Sequence, residues 1–341
     1  MEDLQTQNNI PEDNTPEAPQ ERASEETIID PQTLLRVGLL GIVLVIIVYT
    51  FGERALPRFF STAAVVVSDT QIEEAIDPFT LINIEASAAY VYDFSNDEVL
   101  FAKNESAQLP LASLTKVMTA LVASEKVSAD TAIVLSDKSI AVDGDSGLKA
   151  GEVWNFKDLL DYTLVVSSND GAHAIAGVAG SFERSTQANE KDSHAAFVEL
   201  MNATAQELGL LQTYFINESG LDTNTEVSGG YGSAQDMATL LSFVVSERPH
   251  LLEATSFNTL QFASEDGFIY NATNTNAAIG VIPGIIASKT GYTELAGGNL
   301  MVAFDAGINR PIVAIVLGSS FDGRFSDMEQ LVNATLTKII Q

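Results

Sequence analysis

Apolar residues follow strand-like patterns in two short stretches early in the chain and in three stretches near its end. The early pair is "AAYVYDF" (88–94) and "EVLFAK" (98–103), separated by the turn-forming residues "SND". The late three are "GIIASKTG" (284–291), "GGNLMVAFDAG" (297–307) and "RPIVAIVLGS" (310–319). Strands are therefore predicted at both ends of this part of the chain.

Helical spacing of apolar residues dominates the middle. "NFKDLLDYTLVV" predicts a helix with Asn155 as its N-cap, and the same periodicity recurs over 194–210 and 232–247. A last helix is predicted over "DMEQLVNATLTKII" (327–340). The order of elements predicts an α+β fold in which a five-stranded antiparallel sheet is flanked by helices and the middle forms a helical lobe.

The first 76 residues have a different pattern. Residues 1–33 contain nine Asp or Glu and four Pro with few apolar side chains, which predicts a disordered acidic tail. Residues 34–52, "LLRVGLLGIVLVIIVYTFG", lack a polar face and predict a transmembrane helix; a buried core helix and a cleaved signal peptide are the alternatives. Residues 53–76 are predicted to be a linker, and 77–341 the main domain.

The charge of the chain restricts its partners. Its 46 acidic and 17 basic residues give a net charge of −29, which argues against nucleic acid and against adsorption to an anionic membrane surface. A solvated acidic exterior and a high-salt habitat both fit this charge. The absence of cysteine excludes disulfides, thiolate metal sites and a cysteine nucleophile.

Candidate chemistry begins in "LASLTKVMTA" (111–120), where Ser113 and Lys116 are three residues apart. On a helix these two side chains face the same way, and Pro110 is typical of a helix start, which would place Ser113 in the first turn. A serine needs a base, and a lysine in an apolar setting can be that base because burial lowers its pKa.

Two further motifs follow later in the chain. "VVSSNDGAHA" contains Ser167 and Asn169 directly after a predicted helix, and "ASKTGYTELAGGNL" contains Lys289 at the end of a predicted strand. S-x-x-K, S-x-N and K-T-G in this order form the signature set of penicillin-binding proteins and serine β-lactamases.

The chain resembles the D-alanyl-D-alanine carboxypeptidases among the low-molecular-mass penicillin-binding proteins, from about Asp77 to about Leu336. Stretches that carry the resemblance include "SGLKAGEVWNFKDLLDYTLVVSSNDGA", "FVELMNATAQELGL" and "ESGLDTNTEVSGGYGSAQDMA". Ser168 and Gln235 depart from the Gly and Arg that the family usually has. The resemblance implies a β-lactamase/transpeptidase-like fold, and we expect no C-terminal β domain.

The resemblance implies a catalytic role for four residues. Ser113 would attack the carbonyl between the two terminal D-alanines of a peptidoglycan pentapeptide, with Lys116 as the general base. Ser167 would relay the proton to the leaving amine, and Asn169 would hold Lys116 and the substrate backbone.

Five more positions are implied in substrate binding. Lys289 would keep Lys116 neutral and attract the terminal carboxylate, which Thr290 would hydrogen-bond. Gly291 would permit close approach, the backbone N–H of Tyr292 would complete an oxyanion hole with that of Ser113, and Arg324 would steer the carboxylate. β-Lactams are expected to inhibit, and no cofactor is expected.

Other interpretations remain. A β-lactamase shares all three motifs and would need a deacylating glutamate, for which Glu199 is the nearest candidate. A non-catalytic, membrane-anchored wall-binding protein and an endopeptidase also remain.

Two other kinds of site are not supported. "GDSG" (144–147) resembles the nucleophile loop of trypsin-like proteases, but in those enzymes the histidine base precedes the serine in the chain, and all three histidines here follow Ser146. So few histidines also argue against a catalytic zinc site, and no metal is predicted.

The substrate also determines the expected location. Arginines flank the apolar segment on both sides, so the positive-inside rule gives no orientation. Because peptidoglycan lies outside the cytoplasmic membrane, the acidic tail is expected inside and the catalytic domain outside, in a single-pass membrane protein.

Overall fold

A computed structural model of the protein describes residues 76–182, 190–307 and 309–341. The strands are β1 (Ala88–Asp93), β2 (Glu98–Lys103), β3 (Leu109–Pro110), β4 (Ala132–Val134), β5 (Val153–Asn155), β6 (Tyr214–Phe215), β7 (Gly230–Gly232), β8 (Thr259–Ala263), β9 (Ile269–Thr273), β10 (Ile285–Thr293), β11 (Gly297–Asp305) and β12 (Pro311–Ser319). The helices are α1 (Thr115–Lys126), α2 (Phe156–Val166), α3 (Asn169–Ser181), α4 (Glu190–Glu207), α5 (Ala234–Glu247) and α6 (Gly323–Ile340).

The main sheet has five strands in the order β10-β11-β12-β1-β2, and every neighbouring pair is antiparallel. Two strands come from the beginning of the domain and three from its end, so this prediction is confirmed. The central strand β12 joins the two groups, with Tyr90 opposite Ile315 on one side and Val302 opposite Ala314 on the other.

Both faces of the sheet are buried, which explains the uninterrupted apolar run in β12. Val313, Ile315 and Leu317 pack into the larger core with α1 to α5, whereas the alternate residues pack against α6 in a second core. Each fully buried aliphatic side chain contributes about 1.5–3 kcal/mol relative to exposure. Because helices pack on both faces of the sheet, its edge strand β10 is held in a fixed position.

The helical lobe follows the predicted order, with small shifts at the helix ends. Asn155 caps α2 as predicted, because its side-chain oxygen accepts a hydrogen bond from the backbone N–H of Asp158 at 2.8 Å. The last helix begins at Gly323 and not at residue 327. The hydroxyl of Ser320, two residues before the N-cap Asp322, accepts from the Gly323 N–H at 3.0 Å and so satisfies one donor of the first turn, a contact that apolar periodicity does not show.

The predicted tail (1–33), transmembrane helix (34–52) and all of the linker except residue 76 lie outside the described residues. Within the ranges that the structure describes, no helix combines the length and the apolarity needed to cross a membrane.

Candidate active site

Ser113 lies in a short 3-10 turn, Ala112–Leu114, immediately before α1. The predicted helix start at Pro110 is wrong, because Pro110 belongs to β3 and pairs with Tyr231 of β7. The chain reverses at Ala112, whose φ of 50° is left-handed. A non-glycine residue in this conformation costs on the order of 1–3 kcal/mol, and such strain is common next to catalytic groups.

Lys116 lies in the first turn of α1 and reaches Ser113 as the spacing predicted. Its ammonium nitrogen is 2.8 Å from Ser113 Oγ, 2.6 Å from Asn169 Oδ1 and 2.9 Å from the backbone carbonyl oxygen of Ser219. The side chain is only 1% exposed. Burial lowers the pKa of Lys116 to about 7, although the negative charge of Glu218 acts in the opposite direction.

These contacts suit a neutral amine. A neutral lysine has two N–H donors and one lone pair. The Asn169 oxygen and the Ser219 carbonyl can only accept, so they engage the two donors and leave the lone pair for the Ser113 hydroxyl. The arrangement therefore allows Lys116 to take a proton from Ser113.

The second motif lies between two helices. Ser167 ends α2 in a left-handed conformation with φ of 62°, and Asn169 is the first residue of α3. Ser168, the departure from the family pattern, caps α3 with its side chain and also meets the hydroxyl of Ser146 at 2.7 Å. The extra hydroxyl is thus accommodated in a buried hydrogen bond.

Sequence reasoning missed the loop that holds Asn169. The Asn169 amide donates to the backbone carbonyl of Asp143 at 2.7 Å, and this fixes its oxygen toward Lys116. In the same loop, the Ser146 hydroxyl donates to Asp170 at 2.7 Å. The "GDSG" motif therefore supports the start of α3, and its serine bonds to an aspartate instead of a histidine.

Lys289, on β10, is buried beside the second motif. Its ammonium group donates to Ser167 Oγ and to the Thr290 carbonyl, both at 2.8 Å. Burial lowers its pKa well below the ordinary value, and repulsion from Lys116 and Arg324 lowers it further. Burial is the main cause of the lowered pKa of both amines, and the role of Lys289 in keeping Lys116 neutral stays a prediction.

Arg324, in the first turn of α6, is the second buried cation near β10. It donates to the Gly291 carbonyl at 3.0 Å, and its guanidinium lies 4.4 Å from the ring centre of Phe321. Its Nε is buried without a hydrogen-bond partner in the structure. No carboxylate of the described residues forms an ion pair with Arg324 or Lys289, so both basic groups are left to interact with an anionic ligand.

After Lys289, strand β10 runs alongside the turn Ala112–Leu114 that contains Ser113, which we call the nucleophile turn. Thr290 is buried and its hydroxyl meets that of Thr275 at 2.6 Å, whereas Tyr292 is 43% exposed. A Cβ on Gly291 would lie 2.9 Å from the Leu111 carbonyl oxygen and 3.1 Å from the Ser113 backbone nitrogen. Only glycine lets β10 come this close to Ser113.

The structure also bears on the β-lactamase alternative, which needs a deacylating glutamate near Ser113. Glu199 is an exposed residue of α4, and none of the hydrogen bonds among the described residues links it to Ser113 or Lys116. Glu218, which the motifs did not indicate, is buried and bonds to His173 at 2.7 Å. No local pattern could have revealed this pair, since 45 residues separate its members.

Known proteins are similar to this chain in sequence and in fold. The D-alanyl-D-alanine carboxypeptidase DacF of Bacillus subtilis is 32% identical over 69% of this chain, and the match spans 58% of that protein. The crystal structure of the D-alanyl-D-alanine carboxypeptidase from Mycobacterium tuberculosis is 25% identical with a TM-score of 0.66, covering 75% of this chain and 92% of that one.

Penicillin-binding protein D2 of Listeria monocytogenes, whose structure contains ampicillin, is 28% identical with a TM-score of 0.60 and covers 74% of this chain and 98% of that one. A sequence model of the family described as D-alanyl-D-alanine carboxypeptidase matches residues 72–320. Because that match includes more than half of the residues, and its motif residues converge on one partly buried site, the chain belongs to the D-alanyl-D-alanine carboxypeptidase family.

Proposed function

We propose that the protein is a serine D-Ala-D-Ala carboxypeptidase that removes the terminal D-alanine from peptidoglycan pentapeptides. The contact between Lys116 Nζ and Ser113 Oγ, at 2.8 Å in a buried site, carries the proposal. Family membership and the D-alanyl-D-alanine carboxypeptidases among its relatives support the choice of substrate.

Acylation is the first step. Ser113 Oγ attacks the carbonyl carbon of the penultimate D-alanine while its proton passes to Lys116 Nζ. The backbone N–H groups of Ser113 and Tyr292 stabilise the oxyanion, each such donor being worth roughly 3–4 kcal/mol. The C–N bond then breaks, the leaving amine takes a proton through Ser167, and an ester remains on Ser113.

Deacylation uses the same groups. A water molecule attacks the ester carbonyl and gives a proton to Lys116, the ester C–O bond breaks, and the Ser113 oxygen regains its proton. Asn169 holds Lys116 in place through both steps. The products are free D-alanine and a shortened stem peptide.

The buried cations select an anionic substrate terminus. A carboxylate beside Lys289 would stabilise its charged form and offset the burial that lowers its pKa. Charged Lys289 would then repel a proton on Lys116, so the predicted influence of Lys289 on the base applies to the substrate-bound site. Thr290 hydrogen-bonds the same carboxylate, and Arg324 contributes to the positive field.

We propose in addition that β-lactams acylate Ser113 and that residues 34–52 anchor the enzyme in the cytoplasmic membrane with its domain outside. The ampicillin-bound relative supports the first statement. The second rests on the apolar sequence of that segment and on a substrate that lies outside the membrane.

Mass spectrometry of the protein after exposure to labelled penicillin tests the mechanism. We expect one adduct on the peptide that contains Ser113, and release of D-alanine from a pentapeptide by the same preparation. Ser113→Ala should abolish both, whereas Ser124→Ala, on helix α1 that follows Ser113, should retain both. An adduct on another serine contradicts the mechanism, and rapid release of hydrolysed penicillin would favour the β-lactamase alternative.

A further inference from the structure

His173, His194 and Glu218 meet beside the catalytic lysine although they come from three separate elements. His173 lies on α3, His194 on α4 and Glu218 in the segment after β6. The Nδ1 atoms of His173 and His194 are 2.7 Å and 3.8 Å from the carboxylate oxygens of Glu218. One potential donor atom from each of the three residues lies within 4.8 Å of the other two.

This set of donors suits one class of ion. Two imidazoles and a carboxylate are the protein ligands of many open zinc sites, where water takes the fourth position. Mg²⁺ and Ca²⁺ prefer oxygen ligands, so the two nitrogens favour a transition metal over them. The buried carboxylate also offsets part of the charge of a dication.

A second observation points to a missing ligand. Nδ1 of His194 is buried and faces the Glu218 carboxylate, but the 3.8 Å between them is too long for a hydrogen bond, and no other hydrogen-bond partner meets this atom. A buried polar atom without a partner is unfavourable, and such an atom in a native protein calls for an explanation. A metal ion bound to Nδ1 would provide one.

An entry route leads to the same three residues. A cavity of about 510 Å³ is lined by His173, His194 and Glu218, together with neighbouring residues of α4 and of the 216–221 segment. It has room for an ion and its water. A smaller cavity of about 290 Å³ also contacts both imidazoles, and Lys138 and Lys191 line it.

The two imidazole rings must change their arrangement before an ion can bind to both. The two imidazole rings are stacked, with centroids 3.8 Å apart and an angle of 14° between their planes. A coordinated ion lies close to the plane of each ring, so at least one ring must rotate into the adjoining cavity. The ion must also take the place of the 2.7 Å hydrogen bond between His173 Nδ1 and Glu218, so protons and the ion compete for the same ligand atoms.

We propose that His173, His194 and Glu218 form a binding site for one divalent transition-metal ion of the zinc class. The ion ties α3 and α4 to the segment that supports the catalytic lysine. In that segment, the Glu218 carbonyl accepts from the Thr119 hydroxyl at 2.6 Å and the next carbonyl, of Ser219, accepts from Lys116. The site is therefore structural, and its ligands stay outside the reaction.

Direct metal binding tests this proposal without reference to catalysis. Detergent-solubilised full-length protein is stripped with a chelator and titrated with Zn²⁺ by calorimetry in excess Mg²⁺, which occupies the acidic surface. Co²⁺ serves as a spectroscopic probe of nitrogen ligation. We expect one Zn²⁺ per chain and a visible Co²⁺ absorption band that Zn²⁺ abolishes.

Matched variants locate the site. His194→Gln and Glu218→Gln should each weaken Zn²⁺ binding at least tenfold, whereas His250→Gln removes the third histidine, an exposed one, and should bind like the parent. Circular dichroism identifies a variant that fails to fold, and the other variant then decides. Parent protein that binds no Zn²⁺, or folded His194 and Glu218 variants that bind it as tightly as the parent, would overturn the proposal.

Discussion

At the scale of single residues, the two buried lysines have the same side chain but are expected to respond differently to substitution. Lys116→Arg installs a group that does not lose its proton in proteins, so acylation should fall by several orders of magnitude. Lys289→Arg keeps a cation for the substrate carboxylate, so measurable activity should remain, with part of the loss in KM. Acylation rates with a β-lactam and with a D-Ala-D-Ala peptide distinguish the two cases.

Far-ultraviolet circular dichroism of both variants is the control, because each arginine must fit a buried position. If Lys116→Arg acylates nearly as fast as the parent, Lys116 is a structural cation and another group is the base.

The pH dependence follows from the environment of Lys116. Burial lowers its pKa to about 7, and the base must be neutral to accept a proton. The acylation rate constant should therefore rise as the pH increases through about 7 and then level off. Stopped-flow measurements with a chromogenic β-lactam from about pH 5 to about pH 9 check this, because a lysine with an ordinary pKa would leave the rate rising at the upper end. A rate that falls through this range contradicts the assignment.

Sequence reasoning identified Ser113, Lys116, Asn169 and Lys289 because short motifs have local spacing. It did not identify the Ser219 carbonyl, which is 103 residues from Lys116 and carries no side-chain signal. It also missed His194 and Glu218. Contacts of this kind depend on how helices pack, and no periodicity in the sequence records them.

At the scale of elements, the close passage of β10 along the nucleophile turn depends on Gly291. A Cβ there would lie 3.1 Å from the Ser113 backbone nitrogen, where the oxyanion is proposed to bind. Gly291→Ala should lower kcat by about 10²–10³-fold, the usual effect of losing one oxyanion donor. Release of D-alanine from a pentapeptide measures it.

Gly280→Ala, in the turn before β10, is the matched control, since a Cβ at Gly280 has no atom within 4 Å. It should leave kcat unchanged. Equal activity of the two variants would mean that β10 can move away from Ser113 without loss, and the proposed oxyanion hole would then be misplaced.

Asp327, on α6, is hydrogen-bonded to the segment that leads into β1 and to the last residue of β12. Its carboxylate accepts from the backbone N–H groups of Glu85 and Ala86 at 3.0 and 2.9 Å and from the Ser319 hydroxyl at 2.7 Å. Asp327→Asn replaces an acceptor oxygen by a donor and should lower the free energy of unfolding by about 2–3 kcal/mol. Denaturant titration measures the loss, and Glu329→Gln, exposed on the same helix, should shift it by less than about 0.5 kcal/mol.

At the scale of the whole molecule, the sheet was predictable because its pattern is simple. Strands buried on both faces appear as apolar runs, and the final three could pair only with the first two if one sheet was to form. The short strand pairs β3-β7, β4-β5 and β6-β7 were not predicted, since two or three residues are too few to show a period. The pairs β3-β7 and β6-β7 nevertheless hold Pro110, and with it the nucleophile turn, in position.

The apolar segment 34–52 gives the last prediction, which concerns how the whole chain is placed. Protease added to cells without an outer permeability barrier should digest the catalytic domain and spare an epitope placed in residues 1–33, because the proposed substrate lies outside the membrane. Leu44→Arg puts a charge in mid-segment at a cost of about 2.5–3.5 kcal/mol and should reduce the membrane-bound fraction, whereas Leu44→Ile should not. Digestion of the tail with protection of the domain would reverse the proposed topology, and a mature protein that begins after residue 52 would make the segment a cleaved signal.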